Sequence, residues 1–134
     1  MKEPIWVKRR VLLYLHLASL AEFGGGQGIR DENLLDSALA QPQQRFHYDA
    51  NCDLASLAAA SCFGLAKNHP FVAGNKRAAF HALVLFLDNT GHGLRAGTVE
   101  CVQVVLGVAS GKITEQELAV WIRQNLENVE LNLP

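Results

Sequence analysis

The chain lacks an apolar run long enough to span a bilayer, and Met1-Lys2-Glu3-Pro4 does not open a signal-peptide pattern. Neither a membrane partner nor an export leader is therefore expected, and the expected location is cytoplasmic. Cysteine is scarce. Cys52, Cys62 and Cys101 form an odd set without paired ligand spacing, which argues against a disulfide framework or a zinc site. Cys62 and Cys101 lie among apolar residues and read as small buried hydrophobes. Surplus charge is also missing: the net charge is −1, so no direct nucleic-acid partner is expected, and a helix-turn-helix DNA binder fits poorly. There is no internal repeat, no linker that would split the chain, and no alternating strand apart from a short possibility near Pro4–Val7. What remains is 49% hydrophobic and 19% charged, a balance that supports a packed core. The expectation is one all-α domain over residues 1–134, with about six helices.

Helical spacing recurs along the chain. From about Lys8 to Phe23, Val11, Leu15 and Ala18 share a face, and Gly24-Gly25-Gly26 ends the helix. His16 inside it reads as a core or boundary histidine bonded to backbone. Asp31 is a credible N-cap for a short helix with Leu34, Leu35, Ala38 and Leu39, which Pro42 is expected to stop. Residues 43–52 read as loop; Arg45, His47 and Tyr48 there suit an ordinary solvated segment better than a substrate flap. Asp53 can cap a helix over residues 54–67 whose many alanines imply close helix–helix approach. Thr98 is expected to cap a helix ending at Ser110-Gly111, and Thr114-Glu115-Gln116-Glu117 is a capping box. Val129 to Pro134 reads as a frayed tail.

The chemistry concentrates in His69-Pro70-Phe71-Val72-Ala73-Gly74-Asn75-Lys76-Arg77, which runs into a largely apolar helix over residues 74–89. That helix is expected to be buried on most sides, with His81 as a core or boundary histidine. A helix N-terminus presents unpaired N–H groups and the positive end of a dipole. Gly74 lets backbone approach an anion, Lys76 offers a point charge and Arg77 a planar fork. His69, with an ordinary pKa near ~6.5, can take a hydroxyl proton at neutral pH. A Lys-Arg pair at a helix start is ordinarily solvated surface, and a histidine before proline is ordinarily structural. Their convergence favours a site for nucleotide phosphates.

The stretch His69-Pro70-Phe71-x-x-Gly74-Asn75-Lys76-Arg77 resembles the signature of the Fic/Doc superfamily, and Lys76 is similar to the death-on-curing (Doc) branch. Gly24-Gly25, Gly28-Ile29-Arg30-Asp31, Leu35-x-x-Ala38-Leu39-x-x-Pro42, Phe86-Leu87-x-x-Thr90-Gly91 and Ala109-Ser110-Gly111 extend the resemblance. It implies an all-α Fic/Doc-like domain with a buried central helix after the motif loop. It also implies a toxin of a toxin–antitoxin pair that uses ATP to phosphorylate a Ser or Thr hydroxyl of a translation factor, elongation factor Tu in the family. By resemblance His69 is the general base, Gly74, Asn75, Lys76 and Arg77 bind phosphates, and Phe71 anchors the loop. A Fic-like AMP transferase and a non-catalytic binding module are the alternatives.

One position departs from the pattern. The family places Asp or Glu, the ligand of Mg²⁺, where this chain has Ala73, and no acid lies between His69 and Arg77. Magnesium requires hard oxygen ligands, so the metal ligand is missing and impaired catalysis is expected. Ala73 reads as an exchange that permits expression of a toxic protein, or as a natural loss. The self-inhibitory [Ser/Thr]-x-x-x-Glu-[Gly/Asn] helix of many Fic proteins is also absent, so restraint is expected from a separate antitoxin with a flexible tail.

Overall fold

The computed structural model describes residues 1–129. Its helices are α1 (Arg9–Phe23), α2 (Glu32–Tyr48), α3 (Leu54–Asn68), α4 (Asn75–Asn89), α5 (Thr98–Ala109) and α6 (Glu115–Asn125). The all-α expectation holds, with one small addition. His92–Leu94 (β1) pairs antiparallel with Leu126–Asn128 (β2), Leu94 opposite Leu126 and His92 opposite Asn128. The strand considered at Pro4–Val7 does not form. No helix among the described residues is long and apolar enough to cross a membrane.

Helix α3 is the interior of the domain, packed by α2, α4, α5 and α6. Its alanines explain the arrangement. Ala55, Ala58, Ala59, Ala60 and Ala66 are buried with Leu57, Cys62 and Leu65, and their small side chains let neighbouring helices come close on several sides. At Gly64 the approach is tightest: a Cβ there would stand 3.0 Å from the Cβ of Ala38 in α2 and 3.3 Å from its Cα. Burial pushes the Cys62 thiol up to about 12, so it acts as a hydrophobe.

The helix after the motif loop is less enclosed than its composition suggests. In α4 one face, Ala78, Ala79, Ala82, Leu83, Phe86 and Leu87, is buried, whereas Val84 is exposed. Composition alone does not separate one buried face from burial all round. In α1 the buried face is Leu12, His16, Ser19 and Leu20, one residue further along than Val11, Leu15 and Ala18. The displacement brings His16 inward.

Pro42 does not stop α2, which runs through it to Tyr48. The missing N–H costs one helical bond. Burial of the ring, the T-shaped contact of Phe46 with Trp6 at 5.7 Å and the Arg45–Glu115 ion pair to α6 hold the last turns in place. Residues 43–48 are therefore helix, and only the segment from Asp49 to α3 is loop.

The caps follow the side-chain chemistry. Asp31 and Asp53 accept from the N–H groups of Leu34 and Ser56, and both halves of the Thr114–Glu117 capping box form. Thr98 is the first residue of α5, and Gly97 holds the cap position instead. Val129 is not frayed, because its N–H donates to the Gly91 carbonyl at 3.0 Å. The rest of the expected tail, residues 130–134, lies outside the described residues.

Replacing Gly64 by valine would force α2 and α3 apart. Gly64→Val is expected to lower the unfolding free energy by about 2–3 kcal/mol, read as a reduced urea midpoint at unchanged m-value.

Candidate active site

The motif residues occupy the connection between α3 and α4, and the carbonyls of His69, Pro70, Phe71, Ala73 and Gly74 all have hydrogen-bond partners. Helix α3 ends at Asn68, and His69 turns the chain in the left-handed region, φ 51° and ψ 61°. It is the only non-glycine residue with positive φ among those described. A residue before proline is biased toward extended backbone, so this conformation stores strain of order 1–3 kcal/mol. Pro70 is buried, and its carbonyl accepts from the N–H groups of Arg30 at 2.7 Å and Asp31 at 3.1 Å.

Phe71 is the anchor. Its ring is buried and lies 3.8 Å, centroid to centroid, from the nearly parallel imidazole of His16. Its backbone pairs with Ile29, and the Val72 N–H donates to the Gly28 carbonyl at 3.1 Å. Asn75 completes the anchorage. Its Oδ1 accepts from the Phe71 N–H at 2.8 Å and its Nδ2 donates to the Phe71 carbonyl at 3.0 Å. The side chain of Asn75 thus braces the loop. What remains to it for an anion is its backbone N–H at the helix start and the second hydrogen of Nδ2.

His16 satisfies its sequence reading as a histidine bonded to backbone, with Nε2 donating to the Ala73 carbonyl at 2.7 Å. The glycine run after α1 serves the same packing. A Cβ on Gly25 would stand 3.0 Å from that of Ala73, so α1 and its exit lie directly against the motif loop.

Gly74 caps α4 in the left-handed region at φ 75° and carries no side chain to close the first turn. The N–H groups there face outward with the positive end of the helix dipole. Lys76 and Arg77 diverge, as consecutive helical residues must. His69 and Lys76 line one cavity of about 580 Å³ with Gln103, Leu106, Gly107, Ser110 and Lys112 from α5 and its C-terminal turn. Gly74, Asn75, Lys76 and Arg77 line a second, of about 480 Å³, with Phe80, His81 and the α5 wall of Val102 and Leu106. Lys76 and Leu106 belong to both, so the cavities adjoin. The Arg77 guanidinium lies 4.1 Å from the centre of the exposed Phe23 ring.

Neither cavity is lined by a carboxylate. Across the two cavities an anion therefore finds three cationic side chains, two imidazoles and an open helix N-terminus. A magnesium ion does not find a matching site. Ala73 presents only a methyl group, and no metal-holding group of His, Cys, Asp and Glu side chains exists among the described residues.

Sequence reasoning missed several of these residues. Gln103, Ser110 and Lys112 reach the cavity from α5 and the turn after it, far along the chain. His81, expected as a core or boundary histidine, is half-buried as that reading has it, but it lines the second cavity and its Nδ1 is buried without a partner. Arg30 lies inside a stretch that the family resemblance already covered, though sequence gave it no role.

A family model for the Fic/DOC family matches residues 6–87. Protein kinase doc of Escherichia phage P1 is 28% identical over 113 residues, which cover 84% of this chain and 89% of the phage protein. Toxin Doc of Mycolicibacterium smegmatis is 45% identical over 75 residues, or 55% of this chain and 58% of that protein. These similarities bear out the resemblance carried by the motif.

Two outcomes follow from the geometry. Glycine adopts the His69 conformation without strain, so His69→Gly is expected to raise the unfolding free energy by about 1 kcal/mol while removing the imidazole. The His81 ring is held below its ordinary 6.5, chiefly by burial, then by the charges of Arg77 and His16. Its neutral form is thus favoured in the fold, and the stability that this gives is lost as pH falls through and below the ordinary value. His81→Asn is expected to flatten the loss of urea midpoint between about pH 7 and about pH 5.

Proposed function

On the premise that the chain belongs to the Fic/DOC family, we propose that it is a cytoplasmic Doc-type toxin of a toxin–antitoxin pair. Its chemistry is transfer of the γ-phosphate of ATP to a Ser or Thr hydroxyl of a translation factor, elongation factor Tu in the family. The observation that supports this best is the shared cavity of His69 and Lys76 beside the open N-terminus of α4, free of carboxylates. Binding a triphosphate there requires donors and cations, and accepting a hydroxyl proton requires a base within the same space.

The roles follow from the side chains. His69 takes the proton as the acceptor oxygen forms its bond to the γ-phosphorus. The bond from that phosphorus to the bridging oxygen breaks, and ADP leaves with the electron pair. Lys76 and the first-turn N–H groups beyond Gly74 stabilise charge on the phosphoryl oxygens. Arg77 meets a different part of the polyphosphate, since it diverges from Lys76. Asn75 keeps the loop in register through Phe71 and offers its own N–H. The electrostatic contribution of an acid-bound magnesium is absent at Ala73, so the chain is impaired as it stands.

The relative named as a toxin supports a partner antitoxin, whose flexible tail would restrain a chain that lacks the self-inhibitory helix of many Fic proteins. AMP transfer on the same scaffold is the alternative, as is a binding module that kept the fold.

Labelled ATP and elongation factor Tu distinguish these readings. Ala73→Asp is expected to raise γ-label transfer by about 10²-fold or more and to arrest bacterial growth on induction. Transfer of α-label instead identifies AMP transfer. No label and no arrest from either protein would sink the toxin reading in favour of a binding module.

A further inference from the structure

The strained turn at His69 is held by a side chain to which no role has been given. Arg30 lies in the connection between α1 and α2. Its Nε donates to the His69 carbonyl at 2.8 Å and its Nη2 to the Asn68 carbonyl at 2.9 Å. Both acceptors belong to the C-terminal end of α3, where carbonyls lack helical partners and the dipole is negative. The same segment grips the loop through its backbone: Arg30 and Asp31 donate to Pro70, Gly28 accepts from Val72, and Ile29 pairs with Phe71. Asp31 in turn caps α2. The base of the guanidinium is therefore fixed on one side by the loop and on the other by a helix start.

We infer that Arg30 is the positioning residue of the site: its two-pronged hold on Asn68 and His69 keeps His69 in the left-handed turn that places the imidazole in the cavity with Lys76. The functional meaning rests on the reading of His69 as base; the geometry does not. A left-handed residue before proline relaxes toward extended backbone unless something retains it. Relaxation would swing the imidazole away while Phe71, held by Asn75 and His16, stayed buried. A planar fork reaches two carbonyls at once, which an ammonium cannot do with the same fixity. The arrangement thus separates two tasks: Phe71 fixes where the loop is, and Arg30 fixes which way its first residue points.

Backbone and imidazole NMR signals of the chain test this, with Arg30→Gln and Arg30→Lys compared against Arg9→Gln, a change at a surface ion pair with Glu32. In Arg30→Gln the His69 Cα and Cβ shifts are expected to leave the left-handed range. Solvent exchange of the N–H groups at position 30, Asp31 and Val72 is expected to quicken about tenfold. Arg30→Lys should fall between, and it supplies the readout if Arg30→Gln does not fold. Arg9→Gln should leave all these signals in place. His69 signals unchanged in both Arg30 variants would overturn the inference.

A kinetic arm uses Ala73→Asp. Adding Arg30→Gln to it is expected to lower kcat about tenfold at unchanged KM for ATP. Absence of any phosphate transfer by Ala73→Asp would count against the kinase reading alone, since the NMR arm decides the geometry by itself.

Discussion

The candidate site depends on the double hydrogen bond between the Asn75 side chain and the backbone of Phe71. Burying an aromatic ring in the middle of a loop strands its N–H and carbonyl away from water, and each unanswered group would cost about 1–3 kcal/mol. Asn75 answers both while also beginning α4. The loop and the helix are thereby locked as one body, and the residues between them have little freedom left. His16 closes the underside by binding the Ala73 carbonyl. The loop is thus braced from beneath, by contacts internal to the fold.

Much of the fold was legible because local chemistry decides it. Asp31, Asp53 and the Thr114–Glu117 pair announce helix starts through side-chain oxygens that need nothing from the rest of the chain. The glycine run after Phe23 and Gly111 after α5 likewise end helices by local means. Readings failed where tertiary packing overrides such signals. Pro42 ought to stop a helix, yet its buried ring and the clasp of Phe46 and Trp6 outweigh one missing bond. The pairing of β1 with β2 joins short segments far apart in sequence, with no alternating pattern for local reading to catch. The alanines of α3 signalled close packing correctly, but not that α3 exceeds α4 in burial.

The site divides the same way. The motif placed His69, Lys76 and Gly74 together, and the structure brings them to one junction. It did not reveal that Asn75 is engaged in structure, because an asparagine at a helix start reads equally well as a ligand donor or as a brace. Nor could it supply the opposite wall, since Gln103 comes from α5 and Lys112 from the turn after it. Ala73 stands out in both views. The sequence has no acid there, and neither adjoining cavity is lined by one. The cationic lining of both cavities is left without a carboxylate of its own.

The central place of α3 also has a temporal side. Four helices pack on it, and one of them, α6, is encoded well after the segment that it covers. A chain emerging from a ribosome therefore exposes part of the Ala-Leu surface of α3 until residues of α6 have been made. Only then can the β1–β2 clasp form. Whatever the folded chain does is therefore withheld from each new copy until most of its length has been made.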